Sequence, residues 1–216
     1  MASTPKPPPP PPPPPQHYHE RQAFGRQLCA VHALNNALQA PKFTAADFAA
    51  VARTLNDGDG VGGATARAEA TRFLGNYDVN VLQAAALQAG VDLSYFDARR
   101  AAAAAGDGDD ALEALLRRQK QEERGTAAEP QRRPPPLILN QRESSWWGRL
   151  RGARHWLALV PVFEEDLCWY NVDSKLTTPE RLGAPREAAA FLRARLADGA
   201  TLLVARWGGA IESETK

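Results

Sequence analysis

The chain has 216 residues, of which 44% are hydrophobic, so it can bury the core of one domain with appendages but is short for two full domains. Its 26 Lys and Arg residues against 25 Asp and Glu leave a formal net charge of +1, which excludes the general basic surface that nucleic-acid binding needs. Two cysteines without a CxxC pair, and four histidines at no zinc-binding spacing, argue against a disulfide-stapled secreted fold and against a metal site.

The N-terminus contains an unbroken proline run, Pro7 to Pro15, and residues 1–16 are predicted to form a disordered tail. A polyproline II segment cannot pack a core, so a stiff solvated spacer is the simplest interpretation. A ligand for SH3, WW or profilin-like domains is the alternative. The N-terminus lacks the apolar stretch of a signal peptide, and no apolar run is long enough to cross a bilayer. We therefore expect a cytoplasmic protein, with the nucleus as a second location, and no transmembrane segment.

Three helices are predicted in the first half of the chain. Residues 28–39 carry apolar positions at helical spacing, which indicates an amphipathic helix. A second helix is predicted over residues 45–55, with Thr44 as its N-cap. A third covers residues 80–89 and ends at Gly90, which is typical of a helix C-terminus.

Residues 101–136 differ in composition from the rest, since they are rich in alanine and charge. We expect a low-complexity surface insertion here, with a short amphipathic helix near its leucines. The other elements are strands at 92–97, 137–140, 155–162, 167–172 and 201–207, and a helix at 187–196. A catalytic domain is expected over residues 17–208, followed by a C-terminal tail at 209–216. Helices followed by an antiparallel sheet indicate an α+β class, with the helical part packed on a central sheet.

Cys29 is the candidate nucleophile because it lies at the start of the first predicted helix. A thiol attacks a carbonyl only as the thiolate, and a helix N-terminus favours negative charge through its free amides and its dipole. Cys168 lies in the middle of a predicted strand among aromatic residues. It is better interpreted as a small buried hydrophobic residue.

His155 is the candidate base, since it begins a predicted strand whose hairpin partner ends at Asp173. Folding that hairpin about residues 164–165 brings position 155 opposite 173 to 174, so a carboxylate can orient the imidazole. Asn171 is the rival orienting residue, but it falls opposite residue 158. His32 lies in the first helix without an evident carboxylate partner, and we interpret it as structural.

The order of these residues along the chain is Cys, then His 126 positions later, then Asp 18 positions after that. Papain-type cysteine proteases have this order and a comparable first gap. On spacing alone, scattered polar residues in an ordinary domain are an equally good interpretation. An oxyanion also needs hydrogen-bond donors, for which the Cys29 backbone N–H and a glutamine upstream, Gln22 or Gln27, are candidates.

Several motifs along the chain together resemble the Josephin family of deubiquitinating enzymes, most of all its short Josephin-domain-containing members. The resemblance covers roughly residues 17–207, apart from the insertion. It rests on HERQ at 19–22, LCAVHALNNALQ at 28–39, GNYDVNVL at 75–82, RHW at 154–156 and YNVDSKL at 170–176. Several long motifs in the same order make the match specific.

The resemblance implies a papain-like cysteine protease fold and hydrolysis of the bond after the C-terminal glycine of ubiquitin, with no cofactor or metal. It implies that Cys29 is the nucleophile, His155 the base and acid, Asp173 the orienting residue and Gln22 the oxyanion donor. Ubiquitin and ubiquitinated proteins are the implied partners. Short members usually place this glutamine five residues before the cysteine, whereas Gln22 lies seven before Cys29, so Gln27 stays open as the donor. Two other functions also stay open: another thiol peptidase or acyltransferase, and a catalytically weak ubiquitin-binding adaptor whose polyproline tail recruits partners.

Overall fold

The computed structural model describes residues 13–19, 28–58, 77–97, 110–118, 135–143 and 153–208. These residues form five helices and six strands. The helices are α1 (Cys29–Leu38), α2 (Ala45–Gly58), α3 (Val79–Gln88), α4 (Ala111–Arg118) and α5 (Pro185–Ala197). The strands are β1 (Val91–Tyr95), β2 (Leu137–Arg142), β3 (Arg154–Phe163), β4 (Leu167–Val172), β5 (Glu180–Gly183) and β6 (Thr201–Trp207).

The six strands form one antiparallel sheet in the order β1-β6-β2-β3-β4-β5. The predicted α+β class, with a helical part packed on a central antiparallel sheet as in a papain-like fold, is confirmed. The predicted N-cap of α2 is also confirmed. The Thr44 side chain accepts a hydrogen bond from the Asp47 N–H, and the Asp47 carboxylate accepts one from the Thr44 N–H at 2.7 Å. Strand β5 was not predicted, because only its last residue is buried and no alternation marks it.

The hairpin of β3 and β4 differs in register from the prediction. Phe163 pairs with Leu167, so the loop holds three residues, and the Glu164 N–H donates to the Asp166 carbonyl at 3.0 Å. The predicted folding of the hairpin about residues 164–165 was wrong, since the pairing is centred on residue 165. The pairing is thereby shifted by one, and Asn171 lies opposite Leu159 instead of residue 158.

The sheet is covered on both faces, and alternate residues of β3 separate the two cores. Ala158 and Val160 face the core shared with α1, α2 and α3. Leu157 and Leu159 face the core shared with α4 and α5. The short helix expected within residues 101–136 therefore belongs to a core, and its Leu116 is completely buried.

Residues 13–19, which we call the N-terminal strap, lie against the C-terminal half of α1. The Gln16 N–H donates to the Gln39 side-chain oxygen at 2.6 Å, and the Gln39 amide donates back to the Gln16 carbonyl at 3.0 Å. The Tyr18 N–H donates to Oδ1 of Asn36 at 2.7 Å. Pro15, the last residue of the proline run, is buried.

Candidate active site

Cys29 is the first residue of α1, and its side chain is enclosed, with 4% of the residue exposed. The preceding residue, Leu28, supplies no side-chain cap for the helix. The positive end of the helix dipole therefore lies at the sulfur, where it favours negative charge. Cys29 is a free thiol, as a nucleophile must be.

His155 and Asp173 meet where β3 begins and β4 ends. Nε2 of His155 donates to Oδ1 of Asp173 at 2.6 Å, and 3% of His155 is exposed. The same carboxylate oxygen accepts the Lys175 N–H at 2.9 Å. A short hydrogen bond between buried groups fixes the plane of the imidazole. A catalytic base needs such a fixed orientation, because its second ring nitrogen must face the nucleophile.

Cys29 lies near the imidazole of His155 and is, after Asp173, the second residue whose interactions raise the His155 pKa. Because Nε2 of His155 is occupied by Asp173, Nδ1 is the ring nitrogen that stays available to a second partner. Cys29 and Asp173 are thus both electrostatic partners of the same imidazole.

The surroundings of His155 favour its charged form. Burial is the largest single influence and lowers its pKa, but the hydrogen bonds and charges of Asp173 and Cys29 outweigh burial and raise the pKa to about 9. Burial likewise raises the pKa of Asp173, and the hydrogen bond and charge of His155 reverse this, so the Asp173 pKa lies below its ordinary value. At neutral pH the pair is therefore an imidazolium and a carboxylate.

The alternatives from the sequence occupy other positions. Asn171 donates its amide to Glu180 of β5 at 3.0 Å instead of to the imidazole. His32 lies inside α1 and is half-buried. Cys168 is buried in β4, where burial is the largest of the influences that raise its pKa, as suits an unreactive thiol.

The expected oxyanion residues, Gln22 and Gln27, lie outside the described residues, and their role stays a prediction. The structure adds polar residues that the sequence reasoning missed. Glu143, just after β2, forms an ion pair with Lys175, just after β4, so the pair spans the start of β3. Gln141 of β2 lies directly opposite His155, and its buried Oε1 has no hydrogen-bond partner among the described residues. The register of β2 against β3 is the signal that places Gln141 and Glu143 beside His155.

The described ranges contain no group of three or more His, Cys, Asp or Glu side chains arranged to hold a metal ion. None of the helices within these ranges is long and apolar enough to cross a membrane.

Comparison with known proteins gives a consistent result. The Josephin family model matches residues 25–206. Josephin-2 of Homo sapiens is 35% identical over 185 residues, which cover 84% of this chain and 81% of the relative. Josephin-2 of Mus musculus is 34% identical over the same shares of both chains. A Josephin-like protein of Drosophila melanogaster is 30% identical over 180 residues, 83% of this chain and 68% of that protein.

Proposed function

The chain belongs to the Josephin family, and on that premise we propose that it is a cysteine-type deubiquitinase that hydrolyses peptide or isopeptide bonds at the C-terminal glycine of ubiquitin. The proposal assigns Cys29 as nucleophile, His155 as base and acid, and Asp173 as the residue that orients His155. The 2.6 Å bond between His155 and Asp173, with Cys29 at a helix start beside the imidazole, is the observation that carries it.

The proposed reaction begins with Cys29 as the thiolate, paired with the imidazolium of His155. The thiolate attacks the carbonyl carbon of the terminal glycine, and the Cys29 N–H with Gln22 or Gln27 stabilises the oxyanion. When the C–N bond breaks, His155 donates its proton to the leaving amine and a thioester forms. Water, deprotonated by His155, then attacks the thioester and frees the ubiquitin carboxylate and the Cys29 sulfur.

The enclosure of the site supports a substrate that ends in glycine. Cys29 and His155 are both nearly inaccessible to solvent, so a substrate chain must enter a narrow space. A backbone without side chains approaches a sulfur more closely than any other, and ubiquitin supplies one at its C-terminus.

A ubiquitin probe with a C-terminal electrophile tests the proposal directly. The wild-type chain should form a covalent adduct, Cys29→Ala should form none, and Cys168→Ala, the matched control for the second buried thiol, should form it at the wild-type rate. Labelling that survives Cys29→Ala excludes the assignment of the nucleophile. Cleavage of diubiquitin without cleavage of ordinary peptides would separate a deubiquitinase from a general thiol peptidase or an acyltransferase.

A catalytically weak ubiquitin-binding adaptor is the second candidate, and the same enclosure favours it. A protein whose active site stays closed would bind ubiquitin elsewhere on its surface and would hydrolyse it slowly. In that case ubiquitin would bind measurably while diubiquitin remained intact at enzyme concentrations equal to the substrate. The proline run would then bring SH3, WW or profilin-like domains to ubiquitinated proteins.

A further inference from the structure

We propose that the N-terminal strap positions the catalytic residues and that His17 is a positioning residue that acts through Asp173. This inference rests on the proposed function, since it takes Asp173 as the residue that orients His155. Residues 13–16 belong to the part of the chain expected to be a disordered tail. Their hydrogen bonds to the end of α1 instead tie this part of the chain to the helix that carries Cys29.

The first observation is a hydrogen bond between His17 and the backbone of Asp173. Nε2 of His17 lies 2.8 Å from the Asp173 carbonyl oxygen. A carbonyl oxygen only accepts, so the imidazole donates from Nε2. The same carbonyl accepts the Leu176 N–H at 3.0 Å, while the side-chain oxygen binds His155 and the Lys175 N–H. Hydrogen bonds thus hold both the backbone carbonyl and the side-chain carboxylate of Asp173. Of these partners, His17 lies farthest away along the sequence, at 156 residues.

The second observation is the way in which the strap joins the two elements that carry the site. Asn36 of α1 is completely buried, accepts the Tyr18 N–H and donates its amide to the Val172 carbonyl at 3.0 Å. The strap therefore binds the helix that begins with Cys29 and also the end of β4 that leads into Asp173. A triad needs its members held to within a fraction of an ångström, and fixing both elements through one segment serves that need.

These contacts predict what happens when the His17 bond is lost. Asp173 can then rotate away from His155 for part of the time, so the imidazole is less well oriented and its charged form less well stabilised. Catalysis should suffer in kcat, because the bond from His17 to the Asp173 carbonyl acts through the orienting residue. The pH profile should change as well, because the orienting carboxylate governs the protonation of His155.

The test compares His17→Ala, His17→Gln and His19→Ala in the full chain by fluorogenic ubiquitin hydrolysis. Loss of one hydrogen bond in the site should lower kcat by about tenfold in His17→Ala with little change in KM. The alkaline limb of its pH profile should move to lower pH. His17→Gln, whose Nε2 reaches a similar position, should recover most of the activity. His19 is exposed and its ring lies 5.7 Å from that of His17, so His19→Ala is the matched control and should behave as wild type.

The inference is overturned if His17→Ala keeps the wild-type kcat and pH profile, or if His19→Ala matches its loss. It is also overturned if glutamine fails to recover activity in a variant that melts at the wild-type temperature. Absence of turnover in the wild-type chain would refute the proposed function instead. Titration of His155 by NMR then tests the strap independently: His17→Ala should lower the His155 pKa, and an unchanged value refutes the positioning role.

Discussion

Replacement of Asp173 by asparagine should move the alkaline limit of activity to lower pH. Asparagine keeps the size of the side chain and an oxygen that can accept from Lys175 N–H and from His155, but it removes the negative charge. The imidazolium of His155 loses its partner, so its pKa must fall. Since His155 acts as the acid for the leaving amine, activity should be lost where His155 loses its proton.

The size of the change follows from the surroundings of His155. Burial is the largest single influence and opposes the change, yet the His155 pKa rises from 6.5 to about 9, and the hydrogen bond to Asp173 is the largest of the influences that raise it. Asp173→Asn keeps an acceptor for His155 but removes the neighbouring negative charge, and loss of such a charge should lower the His155 pKa from about 9 by about one unit or more. At pH 9 the protonated fraction of His155 then falls by about fivefold or more.

The measurement is kcat/KM for fluorogenic ubiquitin hydrolysis from about pH 6 to about pH 10, since this ratio reports ionisation in the free enzyme. The matched control is Asn171→Ala, which removes the rival orienting residue and its bond to Glu180 but should leave the alkaline limb at about pH 9. An alkaline limb that is unchanged in Asp173→Asn refutes the reasoning. A limb that moves only in Asn171→Ala would assign the orienting role to Asn171.

Three further predictions concern stability and partners. Because the folded-state pKa of His155 is raised, its contribution to stability is complete below pH 6.5 and disappears as pH rises through about 9. It amounts to at most about 3 kcal/mol, so in urea unfolding the wild-type chain should lose more stability over this interval than His155→Gln, and equal losses contradict the raised pKa. Leu116→Ala should cost about 2–5 kcal/mol in the same assay, whereas exposed Arg117→Ala should cost under about 0.5 kcal/mol, and equal small losses would exclude α4 from the core. A polyproline-binding domain in excess should lower turnover if it takes Pro15 from the strap, and deletion of residues 1–12 should weaken that inhibition; undiminished turnover of the saturated complex would show that the strap stays docked.

The regular elements were largely predictable because their signals are local. Helical spacing in residues 28–39 and the buried pattern of 155–162 survive in α1 and β3. The exact centre of the hairpin was not predictable, since the acidic residues at 164–166 allow the chain to turn about residues 164–165 or about residue 165 alone. The predicted contact between His155 and Asp173 forms despite that error in register, because both residues lie at strand ends where their side chains can still reach each other.

The strap was not predictable because its signals are not local. Gln16 and Tyr18 bond to side chains 23 and 18 residues away, and His17 to a carbonyl 156 residues away. No periodicity or turn motif records such partners. The proline run also hides the point at which the chain begins to pack against α1. All nine prolines are alike in composition, but Pro15 is buried whereas Pro13 and Pro14 are exposed.

The enclosure of Cys29 has a consequence for its survival in an oxidising environment. Peroxide converts an accessible thiolate to sulfenic acid and then irreversibly to higher oxides. Here the sulfur meets solvent only when the site opens, so when the site recloses faster than peroxide attacks, damage proceeds at the intrinsic rate of the thiolate multiplied by the open fraction. The rate of sulfenic-acid formation at Cys29 thus becomes a measure of the open fraction of the site, without any ubiquitin present.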